Sequence, residues 1–186
     1  MGLNFREKWT KLVITINPQQ FGRVWIPKVR VSTIIRSHDD PDKVKDSVTS
    51  IFPDWEPSNF PEKSSFPVTR SSEVISAEIQ SIDGLMSILR EKRVLDTALD
   101  AMAMKAHEGG TVFYLSRQSA SIGKVSFVLE GNALGGLIEV SLDGKDIEIW
   151  LEQQTWHIGR ERVPREVGDE YSMDSDGDAS EWFQSS

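Results

Sequence analysis

Between Lys28 and Phe52 the spacing of apolar residues changes once, and a proline sits at the change. Val29, Val31, Thr33 and Ile35 alternate with Arg30, Ser32, Ile34 and Arg36, the pattern of a strand with one buried face. Val44, Val48, Ile51 and Phe52 then recur at helical intervals. Asp40 and Pro41 stand between the two patterns. The Asp40 carboxylate can accept from free amides of a first helical turn, and Pro41 lacks an N–H where none is needed. Pro53 ends the helix. A strand that feeds a helix within a few residues cannot belong to an all-helical or an all-strand protein.

The pattern repeats with variations. Pro53–Ser72 holds four prolines and is expected to be an irregular connection pinned by Trp55, Phe60 and Phe66. Glu73–Ser81 alternates, with Ile75, Ala77 and Ile79 on one face. Asp83 is placed to cap the next helix. Ile82, Leu85, Ile88, Leu89, Leu95, Leu99 and Met102 then fall on one stripe, in one long helix or two short ones, stopped by Gly109-Gly110. Thr111–Leu115, Lys124–Leu129 and Leu137–Leu142 read as three further strands, the last two joined by the turn Gly131–Gly136. Asp146–Leu151 reads as a terminal helix. Short connections among the last strands favour antiparallel pairing. The expected fold is α+β, a mostly antiparallel sheet with helices packed on one face.

Charge divides the chain. Net charge is −8 over 186 residues. Residues 1–27 carry four Lys or Arg against one Asp or Glu, and read as an N-terminal extension with a short strand at Leu12–Ile16. Residues 28–155 form the expected core domain. Residues 156–186 read as an acidic, disordered C-terminal tail; from Leu151 onward nine acids face three bases. No apolar run approaches the ~20 residues of a membrane span, and Leu12–Ile16 is too short for a signal peptide, so a cytoplasmic protein is expected.

Little chemistry suggests catalysis. Cysteine is absent, which removes thiolate nucleophiles, disulfides and Cys-ligated zinc. His38, His107 and His157 share no metal-ligand spacing. The run from Asp174 to Asp178 fails the calcium-loop pattern, with Ala179 where glycine is required and Ser185 where glutamate is required. Gly131–Gly136 precedes a strand rather than a helix, so it is a turn and not a phosphate cradle. Ser116, Ser119 and Ser121 have no histidine nearby in sequence to act as base. The expectation is a non-enzyme with no cofactor, no metal and no small-molecule substrate.

The basic residues are the remaining candidates. With helices on one sheet face, the other face carries Arg30, Ser32, Ser76, Lys124, Ser126 and Ser141. Cations and hydroxyls suit phosphate and ribose contacts. Glu78 and Glu139 on the same face oppose them. The competing reading of this face is a solvated surface, or one buried in a homodimer.

Several ungapped motifs resemble a family of small archaeal proteins of uncharacterised function. They are Leu89–Ala98, Thr111–Ala120 and Gly123–Phe127, with the helix start Asp39–Val44 and the helix end Ile51–Asp54. The resemblance covers Val29–Leu151. It implies a fold like that of large-subunit ribosomal protein L-five, an RNA-binding role by analogy of fold, and a homodimer. Carried residue by residue, it implies RNA contacts from Arg90, Arg93, Arg117 and Lys124, with Gln118 as a polar partner; Arg30 joins them from the sheet face. A protein-interaction or scaffold module, using the exposed sheet face or the tail with Trp182-Phe183, is the alternative. The acidic tail lies outside the family core and would compete with RNA for a basic face.

Overall fold

A computed structural model describes residues 26–63, 71–129 and 133–168. The expected strand at Leu12–Ile16, Phe66, the first two residues of the glycine-rich turn and the tail from residue 169 lie outside the described residues.

Strand β1 (Lys28–Ile35) follows the alternation, with Val29, Val31, Thr33 and Ile35 buried. Helix α1 (Pro41–Thr49) starts as expected: the Asp42 N–H donates to Asp40 Oδ1 at 3.1 Å, and Pro41 opens the helix. Its apolar stripe, with Ile51 and Phe52 beyond it, is buried. Trp55 is also buried and donates from Nε1 to the Val31 carbonyl at 3.0 Å, which satisfies the indole while its ring fills the core. Phe60 meets that ring edge-on.

Strand β2 (Glu73–Ile79) leads into two helices, α2 (Asp83–Lys92) and α3 (Leu95–Ala103). The break between them is Arg93, a non-glycine residue with left-handed backbone, φ 57°. The Arg93 N–H donates to the Arg90 carbonyl and the Val94 N–H to the Leu89 carbonyl. Those two bonds use carbonyls that the end of α2 would otherwise leave unpaired. Asp83 is the first residue of α2 rather than its cap, and its N–H donates to Ser81 Oγ. Helix α3 stops at Ala103, before the glycines.

Strands β3 (Gly110–Ser116) and β4 (Leu137–Asp143) complete a sheet of order β2-β1-β4-β3, antiparallel throughout. Between them lies one helical turn, α4 (Arg117–Ala120). Helix α5 (Ile147–Gln154) follows β4. One sheet face carries Val29, Val31, Ile75, Ile79, Phe113, Leu115, Ile138, Val140 and Leu142. They share a single core with the buried residues of α1, α2, α3 and α5. The described residues are thus α+β, with an antiparallel four-stranded sheet and helices on one face. No helix among them is long and apolar enough to cross a membrane.

Two expectations change. Lys124–Leu129 is not a strand of the sheet. It touches the outer edge of β3 by one bridge, Leu115 opposite Phe127. The Ser116 N–H donates to the Ser126 carbonyl, and the Val128 N–H to the Tyr114 carbonyl. Its alternation reflects Val125 and Phe127 turning toward the core, with Phe127 5.9 Å from Phe113 between ring centres. Lys124 and Ser126 therefore do not stand on the open sheet face.

The packed chain also runs past Thr155. A 3-10 turn at Ile158–Glu161 carries a buried Arg160, and Val167 packs against the core. The first dozen residues assigned to the tail fold back onto the domain instead.

Candidate functional site

The open face of the sheet is built from alternate residues of all four strands. The register aligns Ser76, Ser32, Glu139 and Tyr114 in one row, and Glu78, Arg30, Ser141 and Val112 in the next. Lys28 stands opposite Asp143 at one end, and Ile34 opposite Val74 at the other. Part of the charge in this array is paired within the face. Arg30 Nη2 lies 3.5 Å from Glu78 Oε1, and Ser32 Oγ donates to Glu139 Oε1 at 3.2 Å. Lys28 and Arg30 face Glu78, Glu139 and Asp143, so the strands give this face an acidic balance. Tyr114 is an aromatic side chain of the array, and Lys105 Nζ sits 4.6 Å from its ring centre. Base stacking needs a free aromatic face, which that cation covers in part. Ile34 and Val74 are exposed at 50% and 68%.

Arg117 is the clearest departure from expectation. It is buried, and its guanidinium is committed. Nε donates to the Gly135 carbonyl at 2.6 Å and Nη1 to the Ile34 carbonyl at 2.7 Å. Nη1 also reaches Thr33 Oγ1 at 3.4 Å, and Nη2 pairs with Asp39 Oδ2 at 2.7 Å. A phosphate would have to displace four internal acceptors, so Arg117 is corrected from an RNA contact to a structural tie. The strand end, the Asp39 loop and the turn before β4 meet on it. Gly136 leaves the necessary room, because a Cβ there would fall 2.8 Å from the guanidinium carbon. Burial works to raise the Asp39 pKa. The Arg36 N–H and the bond and charge of Arg117 outweigh it and hold the carboxyl below its usual value.

The other candidates sit on separate elements. Arg30 is on the open face. Arg90 is on the helix layer, where its Nη2 donates to the Gln154 carbonyl at 3.0 Å, an ordinary cation at the C-terminus of α5. Arg93 is exposed at the α2–α3 break. Gln118 and Lys124 are exposed around α4. The structure does not gather these six residues on one face.

A second charged cluster was missed. Asp96 and Asp100, one turn apart on α3, hold Arg160 and Arg165 from the segment after α5. Arg160 Nε is 2.8 Å from Asp96 Oδ1, and Arg165 Nη2 is 2.5 Å from Asp100 Oδ2. His157 Nδ1 accepts from the Gly159 N–H, which leaves Nε2 to carry the ring proton toward Asp96 Oδ2 at 3.0 Å. Burial would raise the Asp96 pKa, but hydrogen bonds from Arg160 and His157 bring it below its usual value. The spacing of Asp96 and Asp100, matched by two arginines five apart, was the available signal. Among the described residues no group of His, Asp or Glu could hold a metal ion. The cavity between α3 and the β3 edge, lined by Met104, Val112 and Phe127 among others, measures about 10 Å³, room for one water.

No family model matches the chain. A UPF0201 protein of Sulfolobus acidocaldarius is 32% identical over 141 residues, covering 69% of this chain and 88% of that one. Its counterpart in Methanothermobacter thermautotrophicus is 25% identical over 142 residues, covering 76% of this chain and 98% of that one. Among solved structures, a UPF0201 protein of Methanococcus jannaschii superposes with a TM-score of 0.58 at 24% identity, covering 69% of this chain and 99% of that one. An uncharacterised UPF0201 protein superposes with a TM-score of 0.55 at 25% identity, covering 67% and 90%.

Proposed function

The chain belongs to the UPF0201 family of archaeal proteins, and we propose that it is a non-catalytic interaction module that works as a homodimer through the open face of its sheet. The observation behind this reading is the charge pairing on that face. Cations and acids alternate across neighbouring strands, hydroxyls lie between them, and Ile34 and Val74 supply exposed apolar surface at one end. A second copy turned through a two-fold axis presents the same array, so an isologous contact can match Arg30 or Lys28 to an acid of its partner. Light scattering on the full chain tests the reading. A particle of about twice the 21.0 kDa chain mass is expected, and Ile34→Asp or Ser32→Arg should return it to the single-chain mass without unfolding it. A single-chain mass at all micromolar concentrations would sink the reading.

RNA binding remains as a second reading, favoured by the exposure of Arg93, Lys124 and Gln118 inside the family motifs. On this reading Arg93→Ala and Lys124→Ala weaken binding to all RNA sequences alike. Each lost phosphate contact lowers the salt slope by about 0.7–0.9. Absence of RNA affinity at low salt, both in the full chain and after removal of residues 169–186, disposes of it.

A further inference from the structure

The end of α5 meets the break between α2 and α3. Arg90 Nη2 donates to the carbonyl of Gln154, the last residue of α5. Arg93 then turns the chain into α3, where Asp96 takes Arg160 and His157 from the segment after α5. Acids in this region are largely paired. Glu91 lies 3.0 Å from Lys92 Nζ, Asp96 is shared by Arg160 and His157, and Asp100 is held by Arg165. Arg93 and Arg162 are exposed, and among the described residues neither has a carboxylate partner. Arg90 keeps N–H donors beyond the one given to Gln154. Glu161 is the exposed acid that opposes them. An indole is usually buried for the area it removes from water. Trp156 is instead 52% exposed, and among the described residues no cation covers its ring as Lys105 covers Tyr114. His157 is extended, with φ −150° and ψ 161°, and aims its ring at Asp96. Its neighbours Trp156 and Ile158 therefore turn to the opposite side.

We propose that this surface binds single-stranded RNA, with Trp156 stacking on a base and Arg93 and Arg162 holding the flanking phosphates. The inference rests on the RNA reading above and gives it a location. An uncovered indole beside unpaired guanidinium groups supplies what a single strand needs, a platform for a base and cations for its backbone. Duplex RNA keeps its bases stacked on one another and offers Trp156 none. The paired side chains are positioning residues. Arg160 and His157, tied to Asp96, fix the segment that carries Trp156 and Arg162. Because those charges neutralise one another, the local field is left to Arg90, Arg93 and Arg162. The acidic total of the chain reaches this surface weakly, since charges beyond ~8–10 Å are screened at physiological salt.

A labelled polyuridine oligonucleotide titrated with the full chain at low salt tests this. Wild type is expected to bind it. Trp156→Leu should weaken binding by about tenfold or more, and Trp156→Phe much less, because a phenyl ring still stacks. Arg93→Gln combined with Arg162→Gln should lower the salt slope by about 1.4, with ~0.7 from each phosphate. All three side chains are exposed, so the urea midpoint should stay close to that of wild type. No affinity of wild type for the oligonucleotide would overturn both this site and the RNA reading. Weakening by Lys124→Ala, with Trp156→Leu and the double variant at wild-type affinity, would overturn the site and keep the reading. Binding to vesicles of anionic phospholipid in place of the oligonucleotide would assign the surface to a membrane and overturn the proposal as well.

Discussion

Arg117→Ala should destabilise the fold by about 3–5 kcal/mol, measured by urea unfolding at neutral pH. The size follows from what is left behind. The Arg117 side chain is 6% exposed and Asp39 is 14% exposed, so removing the cation takes a charged partner from a carboxylate almost out of water. The carbonyls of Ile34 and Gly135 lose their donor in the same step. Arg117→Lys should recover only part of the loss, because one ammonium cannot reach acceptors arranged around a planar fork. The acid limb gives an independent check. Asp39 is held below its usual pKa in the fold. Its stabilisation is therefore fully present above the unfolded value near 3.8 and is lost as pH falls through the depressed folded value. Arg117→Ala should flatten that loss. A variant within 1 kcal/mol of wild type would mean that the guanidinium is not the tie its geometry describes.

Arg117 also shows why part of the site was illegible in the chain. Its partners stand 83, 18 and 78 residues away, at Ile34, Gly135 and Asp39. Local pattern carries no trace of such convergence, and an arginine in a polar stretch reads as surface. The strand and helix at Val29–Phe52 were legible because period and cap chemistry are local and agreed with each other. Lys124–Leu129 failed for a related reason. Alternation reports that one side of a segment is buried, and it does so equally for a strand inside a sheet and for a loop laid along its edge. Phe127 and Val125 satisfy the pattern, while among the described residues the backbone bonds to β3 lie around one bridge. For the tail, composition misled by averaging. Nine acids against three bases describes Leu151–Ser186 as a whole, yet Arg160, Arg162 and Arg165 all precede the acidic run that starts at Asp169.

Those arginines make the segment after α5 a strap, and breaking it has a local signature. Asp96→Ala should cost about 2–3 kcal/mol, because the Arg160 side chain is 5% exposed and loses the carboxylate it pairs with. The lower end is expected, since Asp96 itself is 44% exposed and water screens the pair. Thr155 Oγ1 and the Glu152 carbonyl still receive the guanidinium, which keeps the loss below that at Arg117. Asp100→Ala, added to it, takes the Asp100 carboxylate from Arg165 and weakens the second point of attachment. Trypsin reads the result directly: wild type should resist cutting after Arg160, and the double variant should be cut there at least tenfold faster at pH 8. The wild-type strap should also loosen in acid. The Asp96 pKa is lowered in the fold, so the tie is complete above 3.8 and weakens as pH falls through the folded value. The Arg160 Nε–H resonance should follow that titration. Rapid cleavage of wild type after Arg160 would mean that the strap opens without its ion pairs being broken by mutation or acid, and would remove it from the folded domain.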